Sequence, residues 1–227
     1  MSARTVAFAQ EGQRLREVER AAGLYQVKEE DWWYAIGFAA ADGCLDKLPS
    51  GTTRVHLLST DRQILDDMKT ALNIPTVVRF QDMKRERSKV CYRLSYANRT
   101  FAERFLTAGL TPAKSTTMRG LRVDEQYINH FLRGYCDGDG HIQPGVNGIQ
   151  VSFVGGSEEY MLWLKGVVSR FGPWRIREYK RTDRKGHWWT VAASSEAALP
   201  FVKQVYGTEG LVLGRKLDLV KRFICQT

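Results

Sequence analysis

Long apolar runs and paired cysteines are missing from this sequence. No run reaches the 18 or so residues that a membrane span requires, and no apolar segment follows the first residues as in a secretory signal. None of the four cysteines forms a CxxC pair, and the four histidines do not lie near them at zinc-site spacing. We therefore expect reduced thiols in a cytoplasmic protein without a membrane partner.

Acidic residues are few relative to basic ones. The sequence has 25 Asp and Glu against 34 Lys and Arg, which gives a formal net charge of +9. Of these cations 22 are Arg and 12 are Lys. Because guanidinium groups suit phosphates and guanine edges, this surplus favours nucleic acid as the partner. The excess of Arg also indicates a GC-rich source, so we expect a bacterial, archaeal or phage-encoded protein rather than an organellar one.

An internal repeat organises the chain. Residues 33–43 (WYAIGFAAADG) superimpose on residues 130–140 (HFLRGYCDGDG) with a shift of 97 positions. In both copies this helical segment is followed by a strand pattern, a helical pattern, two basic strand patterns around a turn, and a last helix. The repeat predicts an N-terminal extension (residues 1–30) and two units of similar fold (residues 31–121 and 122–227).

The expected elements after the first helix lie at corresponding positions of the two units. In the first unit we predict strands near 54–59, 77–83 and 90–96 and a closing helix near 99–108. In the second unit the strands are expected near 150–155, 174–180 and 187–193, with a closing helix near 196–206.

Small residues lie four positions apart in the first helix of each unit, at Gly37 and Ala41 and at Gly134 and Gly138. This spacing puts each pair on one helix face, where another backbone can approach closely. We therefore expect the two helices to pack against each other around a pseudo-twofold axis.

Caps should bound the same two helices. Asp31 and Asp124 are expected to cap their N-termini, and Gly43 and Gly140 suit the left-handed residue that often ends a helix.

Both helices have an acid at the C-terminal end, where the helix dipole is negative. Asp42 and Asp139 precede the final glycines, where the helix dipole disfavours a negative charge by about 0.3–1 kcal/mol. If the helices pair, the two carboxylates also repel each other, so a compensating cation is needed. Two carboxylates with nearby backbone carbonyls, those of Ala41 and Gly138, and water would suit Mg²⁺.

These segments resemble the motifs of the LAGLIDADG homing endonuclease family, in its single-chain, two-motif form. Residues 35–43 (AIGFAAADG) are a divergent first motif, and residues 132–140 (LRGYCDGDG) are a closer second one. The resemblance implies an α+β fold of two pseudo-symmetric αββαββα repeats. The motif helices would pack at the centre, and two antiparallel sheets would form a saddle over DNA.

The resemblance also implies an activity, the cutting of both strands of a long DNA site in intron homing. Asp42 and Asp139 match the family's catalytic acids and would bind Mg²⁺, for which Mn²⁺ or Ca²⁺ can substitute in binding. Lys114 and Lys216 match its basic residues near the active centre. Ser59 or Thr60 in the first unit and Ser157 in the second match the polar residue that orders water. Ala40 departs from the motif, because the second copy keeps an acid there.

Alternating polar residues on the basic strands are the predicted DNA contacts. A two-stranded ribbon fits the major groove, where Arg reads guanine and Gln reads adenine. The predicted base-reading residues are Arg54, His56, Arg79, Gln81, Arg93, Ser95, Gln150, Ser152, Arg175, Arg177, Tyr179 and Arg181. The turn residues expected to hold phosphates are Lys84, Arg85, Arg87, Arg184 and Lys185. Because the two units differ at most of these positions, we expect a monomer on an asymmetric site.

Two other functions remain open on the same fold. One is a splicing maturase, whose partner would be its own intron RNA. The other is a DNA-binding regulator that does not cleave. The two retained acids favour the nuclease over the regulator.

Overall fold

The structure is a computed structural model, and it describes residues 23–81, 90–112, 114, 116–145, 148–180 and 187–224. Each half begins with a long helix, α1 (Glu29–Asp42) in the first and α4 (Ile128–Asp139) in the second. After each of these helices come two strands, a helix, two more strands and a further helix. This confirms the predicted α+β fold of two similar repeats.

The first half continues through a four-stranded antiparallel sheet and two further helices. The strand order in the sheet is β1-β2-β4-β3. The elements are β1 (Gly43–Lys47), β2 (Thr53–Ser59), α2 (Arg62–Ala71), β3 (Arg79–Gln81), β4 (Cys91–Ala97) and α3 (Arg99–Ala108).

The second half repeats this order, with strands β5-β6-β8-β7 in its sheet. The elements are β5 (His141–Pro144), β6 (Ile149–Gly155), α5 (Glu158–Val168), β7 (Arg175–Lys180), β8 (His187–Ala193) and α6 (Ser195–Tyr206). One more helix follows, α7 (Gly214–Ile224), which the sequence analysis did not predict. Its buried residues Lys216, Val220 and Phe223 recur at helical spacing.

Helices α1 and α4 pack along each other at the centre of the molecule. Alternate residues of β2 and β6, such as Val55, Leu57, Val151 and Phe153, are buried in a continuous apolar core. The opposite face of each sheet carries the polar residues.

Two predicted N-caps differ from those in the structure. Helix α1 begins at Glu29 with Lys28 as its cap residue, so Asp31 lies inside the first turn. Asp124 caps a short 3₁₀ turn (Glu125–Tyr127) by accepting a hydrogen bond from the Gln126 amide, and α4 begins after that turn. Acids in the first turn, at Glu29, Glu30 and Asp31, favour the helix through its dipole instead.

Cys44, Cys91 and Cys136 are free thiols, as predicted, and Cys225 lies outside the described residues. Within the described ranges no helix combines the length and the apolar character of a membrane span.

Candidate active site

Reciprocal glycines bring the two central helices into backbone contact. A Cβ atom on Gly37 would lie 2.0 Å from the Phe131 carbonyl oxygen, and one on Gly134 would lie 2.0 Å from the Tyr34 carbonyl oxygen. A Cβ on Gly138 would meet the Ala41 methyl group at 2.4 Å. No side chain fits at these distances, so the small residues are required by the close approach. The predicted small-residue contact is therefore present, related by the pseudo-twofold axis.

Gly43 and Gly140 follow the two helices for a reason other than the predicted one. Their φ angles are −98° and −65°, so neither has the left-handed conformation. A Cβ on Gly43 would lie 2.5 Å from the Ala39 Cα atom, and one on Gly140 would lie 2.5 Å from the Cys136 sulfur. The chain turns back against the last helical turn as it enters β1 and β5. Glycine is needed at both positions because there is no space for a side chain.

The carboxyl groups of Asp42 and Asp139 meet where the helices end. They are close enough for a hydrogen bond between the side chains, and both residues are exposed to solvent. Surrounding protein and the charge of Asp139 raise the pKa of Asp42 to about 6. Burial also raises the pKa of Asp139. Near neutral pH this pair of acids therefore takes up a proton or a cation more readily than ordinary carboxylates.

Two buried lysines hold the same helix ends. Lys114 Nζ donates hydrogen bonds to the carbonyls of Ala40 (2.7 Å) and Ala41 (2.9 Å). Lys216 Nζ donates to Asp137 O (3.0 Å), Gly140 O (2.7 Å) and the Cys136 carbonyl. The ammonium groups thus bind carbonyls at the negative end of each helix dipole.

Charge also links the lysines to the acids. Both ammonium groups lower the pKa of Asp42 and of Asp139 by their positive charge. Burial lowers the pKa of Lys114 and of Lys216, and nearby acids oppose the shift. The four predicted catalytic residues are therefore brought together in one cluster.

The second sheet carries a polar groove on the face away from the core. Cross-strand pairs place Arg175 opposite Ala192, Arg177 opposite Thr190, and Tyr179 opposite Trp188. Together with Gln150, the three predicted β7 residues line one groove of about 470 Å³. Tyr179 stacks on Trp188 with ring centroids 6.0 Å apart. Ser152 lies on the same face, because it pairs with Ala192.

The predicted residues of the first sheet also share one face, but two of them bind each other. Arg79 lies opposite Arg93, and His56 lies opposite Ser95. His56 is 6% exposed, and its Nδ1 lies 2.7 Å from Ser95 Oγ. Its Nε2 lies 2.8 Å from a carboxylate oxygen of Asp46. Both ring nitrogens are thus used within the protein.

The other predicted contacts fall into two groups. Arg54 and Gln81 lie on the same polar face as His56 and Arg93, respectively. The predicted residues outside the described part of the chain are Lys84, Arg85, Arg87, Arg181, Arg184 and Lys185.

The serines singled out for water ordering have local partners. Ser157 Oγ accepts from the Tyr160 amide as the cap of α5 and donates to the Met118 carbonyl. Ser59 Oγ accepts from the Asp61 amide at 3.0 Å. Thr60 is exposed beside it.

Asp137 anchors the second half through buried hydrogen bonds. Its carboxylate accepts hydrogen bonds from Tyr34 Oη, Tyr206 Oη and the Leu213 amide, each at 2.7 Å. Leu213 immediately precedes the helix that carries Lys216. The corresponding residue of the first half is Ala40, so this anchor exists once. The feature of the sequence that could have indicated this role is the acid that the second motif keeps where the first has alanine.

Arg133 is a second buried group without a counterpart, since Ile36 is at its position in the first half. It is 1% exposed. Its guanidinium donates to the carbonyls of Val205, Thr208 and Glu209 and to the Thr208 hydroxyl. It therefore ties α4 to the segment that leads to α7.

The donor chemistry of the acid cluster fits a hard divalent cation. No group of three or more His, Cys, Asp or Glu converges anywhere in the described part of the chain. Asp42 and Asp139 offer two accessible carboxylates, and a bound cation would relieve their mutual repulsion. The Ala41 carbonyl, a predicted ligand, already accepts from Lys114, and Gly138 packs against Ala41.

The family model of the LAGLIDADG-like domain matches residues 30–108 and again residues 126–206. No curated protein matches the chain.

Several solved structures share the fold at low sequence identity. The homing endonuclease I-WcaI, bound to its DNA recognition sequence, is 7% identical with a TM-score of 0.59, over 91% of this chain and 92% of that one. The I-LtrWI LAGLIDADG homing endonuclease, bound to target DNA, is 13% identical with a TM-score of 0.54, over 86% and 88%. Full-length DUF199/WhiA from Thermatoga maritima is 16% identical with a TM-score of 0.55, over 91% and 64%. Two matches to the family model, one in each structural repeat, show that the chain belongs to the LAGLIDADG-like domain family.

Proposed function

We propose that this protein is a metal-dependent homing endonuclease that cuts both strands of a long, asymmetric DNA site as a monomer. The observation that carries the proposal is the meeting of Asp42 and Asp139 at the ends of two paired helices, beside two buried lysines. Purely structural acids would not be expected at the negative ends of two helices.

The acids are the proposed ligands of Mg²⁺, which supplies charge neutralisation and an activated water when bound. Since two carboxylates converge among the residues that the structure describes, the remaining ligands are backbone carbonyls, water and phosphate oxygens of the DNA. Cation binding and DNA binding should therefore favour each other. Lys114 and Lys216 fix the helix ends and add positive charge beside the reacting phosphates.

The polar faces of the two sheets are the proposed DNA-reading surface. Arg175, Arg177 and Gln150 present donors that suit guanine and adenine edges in the major groove. The first sheet offers Arg54, Arg79 and Arg93, and its His56 is already bound by Asp46. The two faces thus offer different donors, which supports an asymmetric site and a single bound chain.

A selection of cut sites from a randomised duplex library, in Mg²⁺ and then in Ca²⁺, tests this function. We expect one long non-palindromic site to be cut in Mg²⁺ and bound in Ca²⁺. Asp139→Asn and Asp42→Asn should abolish cleavage and leave DNA binding largely intact. Asp66→Asn is the matched control, because this acid pairs with Arg62 on the surface of α2 and should leave cleavage unchanged.

The same experiment separates the alternatives. Specific binding without cleavage in Mg²⁺ or Mn²⁺ would refute the nuclease and favour the regulator. Preference for an intron RNA over every duplex would favour the maturase. Full cleavage by Asp139→Asn would refute the assigned chemistry.

A further inference from the structure

An acid lies on the polar face of the first sheet, among the cations that would contact DNA. Asp46 is opposite Arg54 on the neighbouring strand, and its side chain is 54% exposed. Arg79 and Arg93 lie on the same face. An exposed carboxylate repels the phosphates of a bound duplex and lowers the general affinity for DNA. A hydrogen bond accepted from a base would give such an acid a use on this surface.

His56 fixes the orientation of this carboxylate. Its Nε2 lies 2.8 Å from Asp46 Oδ2, and its Nδ1 lies 2.7 Å from Ser95 Oγ. Burial lowers the pKa of His56, so the ring is neutral at neutral pH. Since a carboxylate can only accept, the ring donates from Nε2 and accepts the Ser95 hydroxyl at Nδ1. The carboxylate is thus held from within the sheet and has the capacity to accept from a further donor.

The second sheet shows that the fold does not require an acid at this position. Gln143 is the counterpart of Asp46, with a shift of 97 positions. Ser152, which lies opposite Ala192, is the counterpart of His56. The acid and the histidine that orients it are therefore both replaced in the other half. This joint difference is expected of a group with a local function rather than a role in the shared fold.

The chemistry of the facing residues matches one base pair. A carboxylate accepts from the N4 amino group of cytosine, and a guanidinium donates to O6 and N7 of guanine. Facing residues on neighbouring antiparallel strands have Cβ atoms about 5 Å apart. Asp46 and Arg54 can therefore reach the two bases of the same pair from the major groove. The reversed pair would place a guanine acceptor against the carboxylate and is disfavoured.

We propose that Asp46 is a specificity-determining residue whose carboxylate accepts from the amino group of a cytosine, while Arg54 reads the guanine paired with it. His56 is the positioning residue that holds the acceptor towards the base. The inference rests on the DNA binding of the proposed function. It assigns a cytosine–guanine pair, in one orientation, to the half of the site that the first sheet covers.

Competition binding in Ca²⁺ tests the inference without cleavage. The competitors are duplexes that carry each of the four base pairs in turn at every position of the selected site. At one position the unmodified protein should prefer the cytosine–guanine pair by about tenfold or more. In Asp46→Asn the amide oxygen still accepts from His56, which turns the NH₂ group to the base. The preference at that position should then fall below about threefold, with the other positions unchanged.

Two further sets of variants complete the experiment. Asp66→Asn is the matched control, because this acid pairs with Arg62 on the surface of α2 and should keep the preference. His56→Leu removes the donor to Asp46 and should weaken the preference, whereas His56→Gln keeps a donor and should retain it. Thermal melting of each variant verifies that it is folded. If His56→Leu does not fold, Asp46→Asn and His56→Gln still decide the outcome.

The outcomes separate this inference from the endonuclease function. A preference that survives Asp46→Asn at every position, or an equal change in affinity for all duplexes, would overturn the inference and leave the nuclease standing. Full preference in a folded His56→Leu protein would overturn the positioning role. An unmodified protein that binds no duplex selectively would refute both the inference and the proposed function.

Discussion

The two halves of the chain share a backbone plan but differ in what they bury. At corresponding positions of the central helices, the first half has Ile36 and Ala40 where the second has Arg133 and Asp137. On the polar faces, the first sheet uses His56 within the protein, whereas the second leaves Arg175 and Arg177 exposed.

The difference shows which features the repeated architecture requires. The small residues at the helix contact, the terminal acids and the buried lysines occur in both halves. Among the described residues, the buried ionic anchors and the polar groove occur in the second half only. We infer that the shared features build the acid cluster, and that the others adapt each half to its own surroundings.

A substitution at the contact between helices α1 and α4 should have the largest effect on stability. Gly134→Ala puts a methyl group 2.0 Å from the Tyr34 carbonyl oxygen, so the helices must separate, and unfolding should become easier by about 4 kcal/mol. Urea denaturation measures the change. Gly166→Ala is the control, because it meets nothing within 4 Å in helix α5 and should stabilise by about 0.5–1 kcal/mol. Equal effects would contradict the close contact.

Loss of the Asp137 anchor, which the first half lacks, should have the next largest effect on stability. Asp137→Ala leaves Tyr34 Oη, Tyr206 Oη and the Leu213 amide without their acceptor, and we expect a loss of about 3 kcal/mol. Ala40→Asp should also destabilise, because it buries an acid without these three donors. Denaturant midpoints of both variants measure this. A harmless Asp137→Ala would show that the two halves are equivalent here.

The acid pair should destabilise the fold modestly, and with a defined pH dependence. A folded-state pKa of about 6 for Asp42 lies above the unfolded value, so folding favours the protonated form. The cost is absent below about pH 4 and complete above about pH 6. Since solvent screens these accessible carboxyls, Asp42→Asn should stabilise by only about 1 kcal/mol at pH 7.5.

Melting temperatures at the two pH values check this prediction. The increase caused by Asp42→Asn should be present at pH 7.5 and vanish at pH 4. An increase of the same size at both values would contradict the raised pKa.

The polar faces should show the smallest effects, measured as DNA affinity. Arg177→Ala removes an exposed base-reading donor, so it should weaken binding about tenfold and relax specificity at the base pair that it reads. His56→Gln should change affinity less than twofold, because the ring is buried between Asp46 and Ser95. Salt titrations in Ca²⁺ compare them, and a larger effect of His56→Gln would reverse the assignment.

The sequence predicted the repeat, the helix pairing and the acid pair because these depend on residues at fixed local spacing. Gly37 and Gly134 carry that signal directly. The partners of Asp137 could not be predicted, since Tyr34 and Leu213 lie 103 and 76 positions away and meet it only in the folded chain. The same holds for Lys216 and the carbonyl of Gly140.

Local rules failed where packing decided the outcome. Gly43 and Gly140 matched a helix-ending pattern, yet the chain there needs space rather than a left-handed residue. Helix α7 was not predicted, although its buried residues Lys216, Val220 and Phe223 recur at helical spacing.

The central claim is that the carboxyl groups of Asp42 and Asp139 act on each other across the helix pair. Carbon-13 NMR titration of the aspartate carboxyls, in the unmodified protein and in Asp139→Asn, tests it most directly. The account predicts that Asp42 titrates near pH 6 in the unmodified protein. In the variant its pKa should fall towards the ordinary value and stay somewhat above it, because surrounding protein still hinders ionisation. An Asp42 titration that does not move when Asp139 loses its charge would contradict the account.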